Sequence, residues 1–266
     1  MREFIKREID EVSGLLIIDE TKIANIPTLL VEEQTMTGRP LPLVIFWHGW
    51  TSGKESNLRY AYLAAKKGFR VILPEATGHG ERLNELSEEE RQFGFWQVVL
   101  QNIQETKQLK DAMEAKGLIL NDRIALAGSS MGGITTYGCL RAYDWIKVAV
   151  PLMGTPSYRD FADHIVSEFQ KTGIAIPYND EQIQALFVAL SPYDLSETPE
   201  QVKDVPLLMW HGMKDPVVPA EHDLQFFNLL KDKGYSDKHF IQDPQAGHNV
   251  SREGLFAFAN WLEKYL

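Results

Sequence analysis

The sequence predicts an α/β protein: a mostly parallel central sheet with helices on both faces and antiparallel strands at its N-terminal edge. Three observations carry this. From residue 42 onward, short apolar runs alternate with helical stretches, a rhythm that pairs strands in parallel through helical crossovers. The run Leu43-Val44-Ile45-Phe46-Trp47 is apolar at every position, as a strand buried on both faces must be. The strands before it lie too close together in sequence for a crossover, so they pair antiparallel.

Taken in order, Phe4–Ile9 and Leu15–Ile18 read as strands around a Ser13-Gly14 turn, and Ile26–Val31 as a third. After the buried strand, residues 55–67 read as a helix ended by Gly68, and Phe69–Leu73 as a strand stopped by Pro74. Residues 91–116 read as one long helix up to Gly117. Arg123–Ala127 is a strand, 131–142 a helix and Val148–Met153 a strand. Residues 154–204 then interrupt the rhythm with two amphipathic segments, about 159–171 and 180–190, predicted to form a helical insert or lid. The alternation resumes with a strand at Pro206–Trp210, a helix over 219–233, a short strand at 238–242 and a closing helix at 252–265. Residues 1–266 are expected to be a single domain carrying that insert.

Composition narrows the function classes. A net charge of −10 argues against nucleic acid, which needs a basic surface to displace counterions, and against docking on anionic membranes. No apolar run approaches the ~18 residues that span a bilayer, and the N-terminus has no signal-peptide h-region. The lone cysteine, Cys139, cannot form an intrachain disulfide, which fits a reducing cytoplasm. There is no P-loop, no G-x-G-x-x-G after the first parallel strand, no H-E-x-x-H and no paired CxxC. Neither a cofactor nor a metal is expected, and the oligomeric state is not legible.

Four short motifs carry chemistry. Gly128-Ser129-Ser130-Met131-Gly132 is a G-x-S-x-G between a buried strand and a helix, the context in which a tight turn presents a nucleophile. Positions two before and two after the serine meet neighbouring backbone, so glycine is required there. Ser130 is the candidate nucleophile, and Ser129 lies one residue off the motif. Trp47-His48-Gly49-Trp50-Thr51 ends the first parallel strand, the edge at which open α/β sheets place their sites. Acyl transfer needs two backbone N–H donors for the oxyanion. Met131 and Trp50 are the candidates, with His48 bracing the loop. Trp210-His211-Gly212-Met213-Lys214-Asp215 presents a carboxylate at another strand end, with His211 in a structural role. Gln245-Ala246-Gly247-His248 lies after the last strand, and His248 is the only one of seven histidines so placed. His164 and His222 read as surface or packing residues on helices. The order Ser130, Asp215, His248 gives nucleophile, orienting acid and general base. Asp194, Asp204 and Asp243 compete with Asp215 but do not leave a strand's carboxyl end in the same way.

Together, His48-Gly49-Trp50, Gly78-His79-Gly80, Gly128-x-Ser130-x-Gly132, His211-Gly212-x-x-Asp215 and Gly247-His248 resemble the α/β-hydrolase superfamily over nearly the whole chain. More closely they resemble bacterial carboxylesterases of the dienelactone-hydrolase and prolyl-oligopeptidase branch. The resemblance implies ester hydrolysis by a Ser-Asp-His triad through an acyl-enzyme, without cofactor. Dienelactone hydrolases use cysteine. Ser130 departs from them, and Cys139 lies too far along the following helix to replace it. A peptidase or amidase with the same triad, and a non-catalytic protein of this fold, are the alternatives; an intact triad argues against the second.

The substrate is expected to be a small, soluble ester. His79, Phe93 and Trp96 are candidate pocket residues, with Trp50 beside them. Phe161, Ile165, Phe169, Leu186 and Phe187 give the insert apolar faces with which to cover an acyl pocket. A small lid on a compact enzyme points to short acyl chains.

Overall fold

The computed structural model describes residues 14–173 and 176–266. The expected strand at Phe4–Ile9 lies outside them. The strands are β1 (Leu16–Ile23), β2 (Ile26–Glu33), β3 (Leu41–Trp47), β4 (Arg70–Pro74), β5 (Ile119–Ser129), β6 (Val148–Leu152), β7 (Leu207–Gly212) and β8 (Lys238–Asp243). They form one eight-stranded sheet in the order β1-β2-β4-β3-β5-β6-β7-β8. β1 pairs antiparallel with β2 and β2 with β4, and every later pairing is parallel.

The helices are α1 (Leu58–Ala65), α2 (Glu88–Phe93), α3 (Phe95–Ala115), α4 (Met131–Ala142), α5 (Tyr158–Thr172), α6 (Asp180–Leu190), α7 (Ala220–Asp232) and α8 (Arg252–Tyr265). The central strand shows why the sheet is covered on both sides. Leu43, Ile45 and Trp47 join one apolar cluster, with Met131, Ile134 and Ile103 from α4 and α3. Val44 and Phe46 join the other, with Tyr60 and Ala61 of α1 and Phe258 of α8. Successive strand residues point to opposite faces, so a continuous apolar run needs a helical layer on each.

One expectation fails here. Residues 91–116 are not a single helix: Gly94 separates α2 from α3. Ser87 starts α2 with a capping box to Glu90, a local stop-and-start signal that the apolar periodicity masks. A Cβ at Gly94 would come 2.3 Å from the carbonyl oxygen of Glu90, so only glycine makes the corner that turns the chain from α2 into α3.

The strand order positions the site. The connection leaving β3 runs to β4 on one side, and the connection leaving β5 runs to β6 on the other. Where adjacent strands send their connections in opposite directions, a crevice opens at their carboxyl ends. Gly49 and Trp50 follow β3 at that crevice and Ser130 follows β5.

Candidate active site

Ser130 sits at the sharp turn from β5 into α4 with φ 55° and ψ −117°, a conformation that costs a non-glycine residue energy and persists only where its surroundings impose it. Close backbone contact does so. A Cβ at Gly128 would lie 2.4 Å from the carbonyl of Gly132, and a Cβ at Gly132 would lie 2.0 Å from the carbonyl oxygen of Trp47. The amide of Ser130 donates to the Leu152 carbonyl at 2.9 Å. Ser129 belongs to β5, pairs with Leu152 and is buried.

Three side chains from three strand ends meet in one line. The Ser130 hydroxyl donates to His248 Nε2 at 2.8 Å, and His248 Nδ1 donates to Asp215 Oδ2 at 2.7 Å. The loops that bring the last two together are zipped by backbone bonds, from Met213 N to Asp243 O at 2.8 Å and from Lys214 N to Ala246 O at 3.0 Å. Gly212 is required at this seam, because a Cβ there would lie 2.3 Å from the Gly247 carbonyl oxygen.

The Asp215 side chain is fully buried, whereas that of His248 is 22% exposed. Burial pushes the Asp215 carboxyl up, but hydrogen bonds from His211, His248 and the amides of Val218 and Val217 outweigh it. They hold the carboxyl well below the usual carboxylate range. Asp243 instead accepts the amides of Gln245 and Ala246, both at 3.1 Å, and so closes its own turn. Asp194 accepts the amides of Arg159 and Ser196, and Asp204 is exposed.

The loop after β3 is braced from beneath. His48 is wholly buried; its Nδ1 donates to the Gly49 carbonyl at 2.9 Å and its Nε2 accepts the Ala76 amide at 3.0 Å. Thr51 takes φ 61°, and its amide donates to His79 Nε2 at 3.3 Å. His79 Nδ1 donates in turn to the Thr77 carbonyl at 3.0 Å. His79 is therefore not a wall of the cavity that holds Ser130. Both of its nitrogens are spent on backbone, and its ring packs edge-on against Trp50 at 4.9 Å. Burial lowers its basicity, which suits an acceptor for Thr51.

That cavity has a volume of about 460 Å³. Trp50, Phe93 and Trp96 line it, as does the α5 face carrying Phe161, Ile165 and Phe169. Leu186 lies off it, in an adjoining groove of about 410 Å³ that shares Phe93, Trp96, Ile165 and Phe169. Phe187 is buried in the core with the Arg159 guanidinium over its ring. Two wall elements escape sequence reasoning. His164 lines the cavity and stacks on Phe161 at 5.9 Å. Pro216, Val217 and Val218, which follow Asp215 directly, also line it. His222 packs beside Thr155 at 3.0 Å. Cys139 is buried, which pushes its thiol up to about 12, so it is no nucleophile at neutral pH. A groove of about 630 Å³ lined by Leu16, Ile18, Tyr62 and Phe256 is larger but lies away from these groups.

Comparison with known proteins follows the same lines. The chain is 44% identical to a Bacillus subtilis protein provisionally named an esterase, YitV, over 95% of this chain and 100% of that one. It is 32% identical to esterase YjfP of Escherichia coli, again over 95% and 100%. Among solved structures it resembles TT1662 of Thermus thermophilus with a TM-score of 0.69, at 20% identity over 94% of this chain and 99% of that one. That likeness shows a shared fold over 94% of this chain. The prolyl oligopeptidase family model matches residues 56–266, a span that includes Ser130, Asp215 and His248 with the strands that carry them, and the chain belongs to that family of α/β-hydrolase serine hydrolases.

Proposed function

We propose that the protein is a serine esterase that hydrolyses small, soluble carboxylic esters. The observation that carries this is the hydrogen-bonded line from Ser130 through His248 to Asp215, opening into an apolar cavity. His248 takes the proton of Ser130 as its oxygen attacks the ester carbonyl. The resulting oxyanion is met by the amides of Met131 and Trp50. Neither of these donates to a protein acceptor among the described residues, and Met131 opens α4, whose N-terminus favours negative charge. The C–O bond then breaks, and His248 returns the proton to the leaving alcohol. Water attacks the acyl-enzyme with His248 again as base, which releases the acid and restores Ser130.

The two relatives matched over 95% of this chain carry esterase names, which favours esters over peptide bonds. A cavity of about 460 Å³ beside α5 suits a short acyl chain and a small alcohol. Residues 1–266 act as one unit in this reading, with 154–204 as a wall of the site. The lone buried cysteine fits the cytoplasm.

The test is a fluorophosphonate probe with mass mapping, beside p-nitrophenyl esters of graded acyl length. An adduct on Ser130 and turnover that falls towards long chains are expected. Labelling of Ser129, normal turnover by Ser130→Ala, or activation at a lipid interface would overturn the reading.

A further inference from the structure

One buried histidine has no part in this acyl-transfer scheme. His211 is the penultimate residue of strand β7 and is wholly buried. Its Nδ1 stands 2.7 Å from Asp223 Oδ2, and its Nε2 stands 3.0 Å from the Val218 carbonyl oxygen and 3.3 Å from Asp215 Oδ2. Carbonyl oxygens and ionised carboxylates only accept hydrogen bonds. Both ring nitrogens must therefore donate, so the ring holds two protons and a positive charge. A proton shared by an aspartate carboxyl and an imidazole rests on the imidazole, the stronger base by about 2.6 units on the reference scale.

Asp223 is also wholly buried, in the first turn of α7, and its Oδ1 accepts the Tyr137 hydroxyl at 2.5 Å. A continuous polar chain thus runs Tyr137–Asp223–His211–Asp215–His248–Ser130 through the core to the cavity. Burial alone would make His211 less basic, but hydrogen bonds to Asp215 and Asp223 raise it to about 9. Its charged neighbours are Asp215 from the loop after β7 and Asp223 from α7. One contact further lie Tyr137 of α4 and His248 of the loop after β8.

We propose that His211 is a charge-bearing positioning residue whose buried imidazolium clamps Asp215 to Asp223 and sets the acid limit of the enzyme's activity. The inference rests on the Ser130–His248 reading. Without a cation between them, the two carboxylates would present two negative charges to His248 and hold its proton to higher pH. With His211 charged, one of them is cancelled. The clamp keeps Asp215 fixed in position while tempering its pull on the base.

His211→Gln removes the charge and keeps a polar side chain. The acid limb of kcat/KM is expected to move up by on the order of one pH unit, because loss of a nearby cation favours protonated His248. Tyr137→Phe removes one hydrogen bond and no charge, and should leave the limb in place. A limb unmoved by His211→Gln, or moved as far by Tyr137→Phe, overturns the proposal. Should the glutamine variant fail to fold, ¹⁵N NMR of the unaltered protein decides: His211 should show both ring nitrogens protonated between about pH 5 and 8. A neutral ring in that range overturns the proposal. The NMR experiment needs no turnover. An imidazolium signal from a protein that hydrolyses no ester would count against the esterase reading and leave the charge assignment standing.

Discussion

The turn around Ser130 and the wall formed by α5 are both needed around one cavity, yet they are held in place by different means. At the turn, backbone meets backbone. A Cβ would approach a neighbouring main-chain atom to 2.4 Å at Gly128, 2.0 Å at Gly132 and 2.7 Å at Gly133. At the wall, side chain meets side chain: Phe95 and Trp96 meet Phe161 at 6.0 Å between ring centroids, and Phe93 meets Phe169 at 5.5 Å. Backbone close approach has no tolerance, because no rotamer can relieve it. Aromatic packing can be exchanged for other shapes of similar volume at modest cost. In the proposed reading, the reacting groups thus sit on the part that cannot adjust, and substrate selection on the part that can.

Substitutions can break or sharpen that contrast. The largest effect is expected at Asp215, on the rigid side. Asp215→Asn keeps the shape but favours the wrong His248 tautomer, and kcat should fall by up to about 10⁴-fold with the circular dichroism spectrum unchanged. Asp243→Asn should stay near the unaltered enzyme, since Asp243 serves its own turn. If Asp243→Asn is the crippled variant, the orienting acid lies elsewhere.

Gly132→Ala comes next. The Trp47 carbonyl cannot yield to a Cβ without moving β3, so a loss of about 3 kcal/mol or more is expected, read from the denaturant midpoint. An unchanged midpoint would mean that the turn has slack after all. The smallest effect belongs to the wall. Phe169→Ala removes a ring between the cavity and the adjoining groove. It should change the ratio of kcat/KM for long against short acyl esters by about tenfold in favour of long ones, the low end of what one methylene is worth in an apolar pocket. Leu186→Ala, off the cavity, should change that ratio less than about twofold. Equal effects from the two would erase the distinction between cavity and groove.

The same contrast decides what the sequence makes legible. A steric requirement leaves a mark at fixed spacing: glycines flank Ser130 because nothing larger fits, and His211-Gly212 precedes Asp215 because Gly212 must pass the Gly247 carbonyl. The sheet is legible for a related reason, since a strand such as Leu43–Trp47 has to be apolar throughout when both its faces are covered. Packing leaves no such mark. His164 occupies a helical position like many others, and only the docking of α5 against α3 turns it towards the cavity. Leu186 and Phe161 look alike as apolar residues on amphipathic helices, yet only Phe161 reaches the cavity. His79 misleads for another reason. Its place between two glycines at a strand end fits either a pocket residue or a brace, and only the positions of Thr51 and Thr77 decide for the brace. The break at Gly94 was hidden because the apolar pattern runs on through it, while the cap that starts α2 depends on Ser87 and Glu90 alone.

The burial of Cys139 has a practical consequence. It is the sole cysteine in the chain and is wholly enclosed between α4 and its neighbours, so the native fold offers thiol reagents no accessible target. A cysteine introduced at an exposed position would be chemically unique without any background having to be engineered away. Placed at Glu168, on the outer margin of the cavity, it would carry a single environment-sensitive fluorophore. The molecule would then report occupancy of its own binding space in real time, including for compounds it holds but never converts.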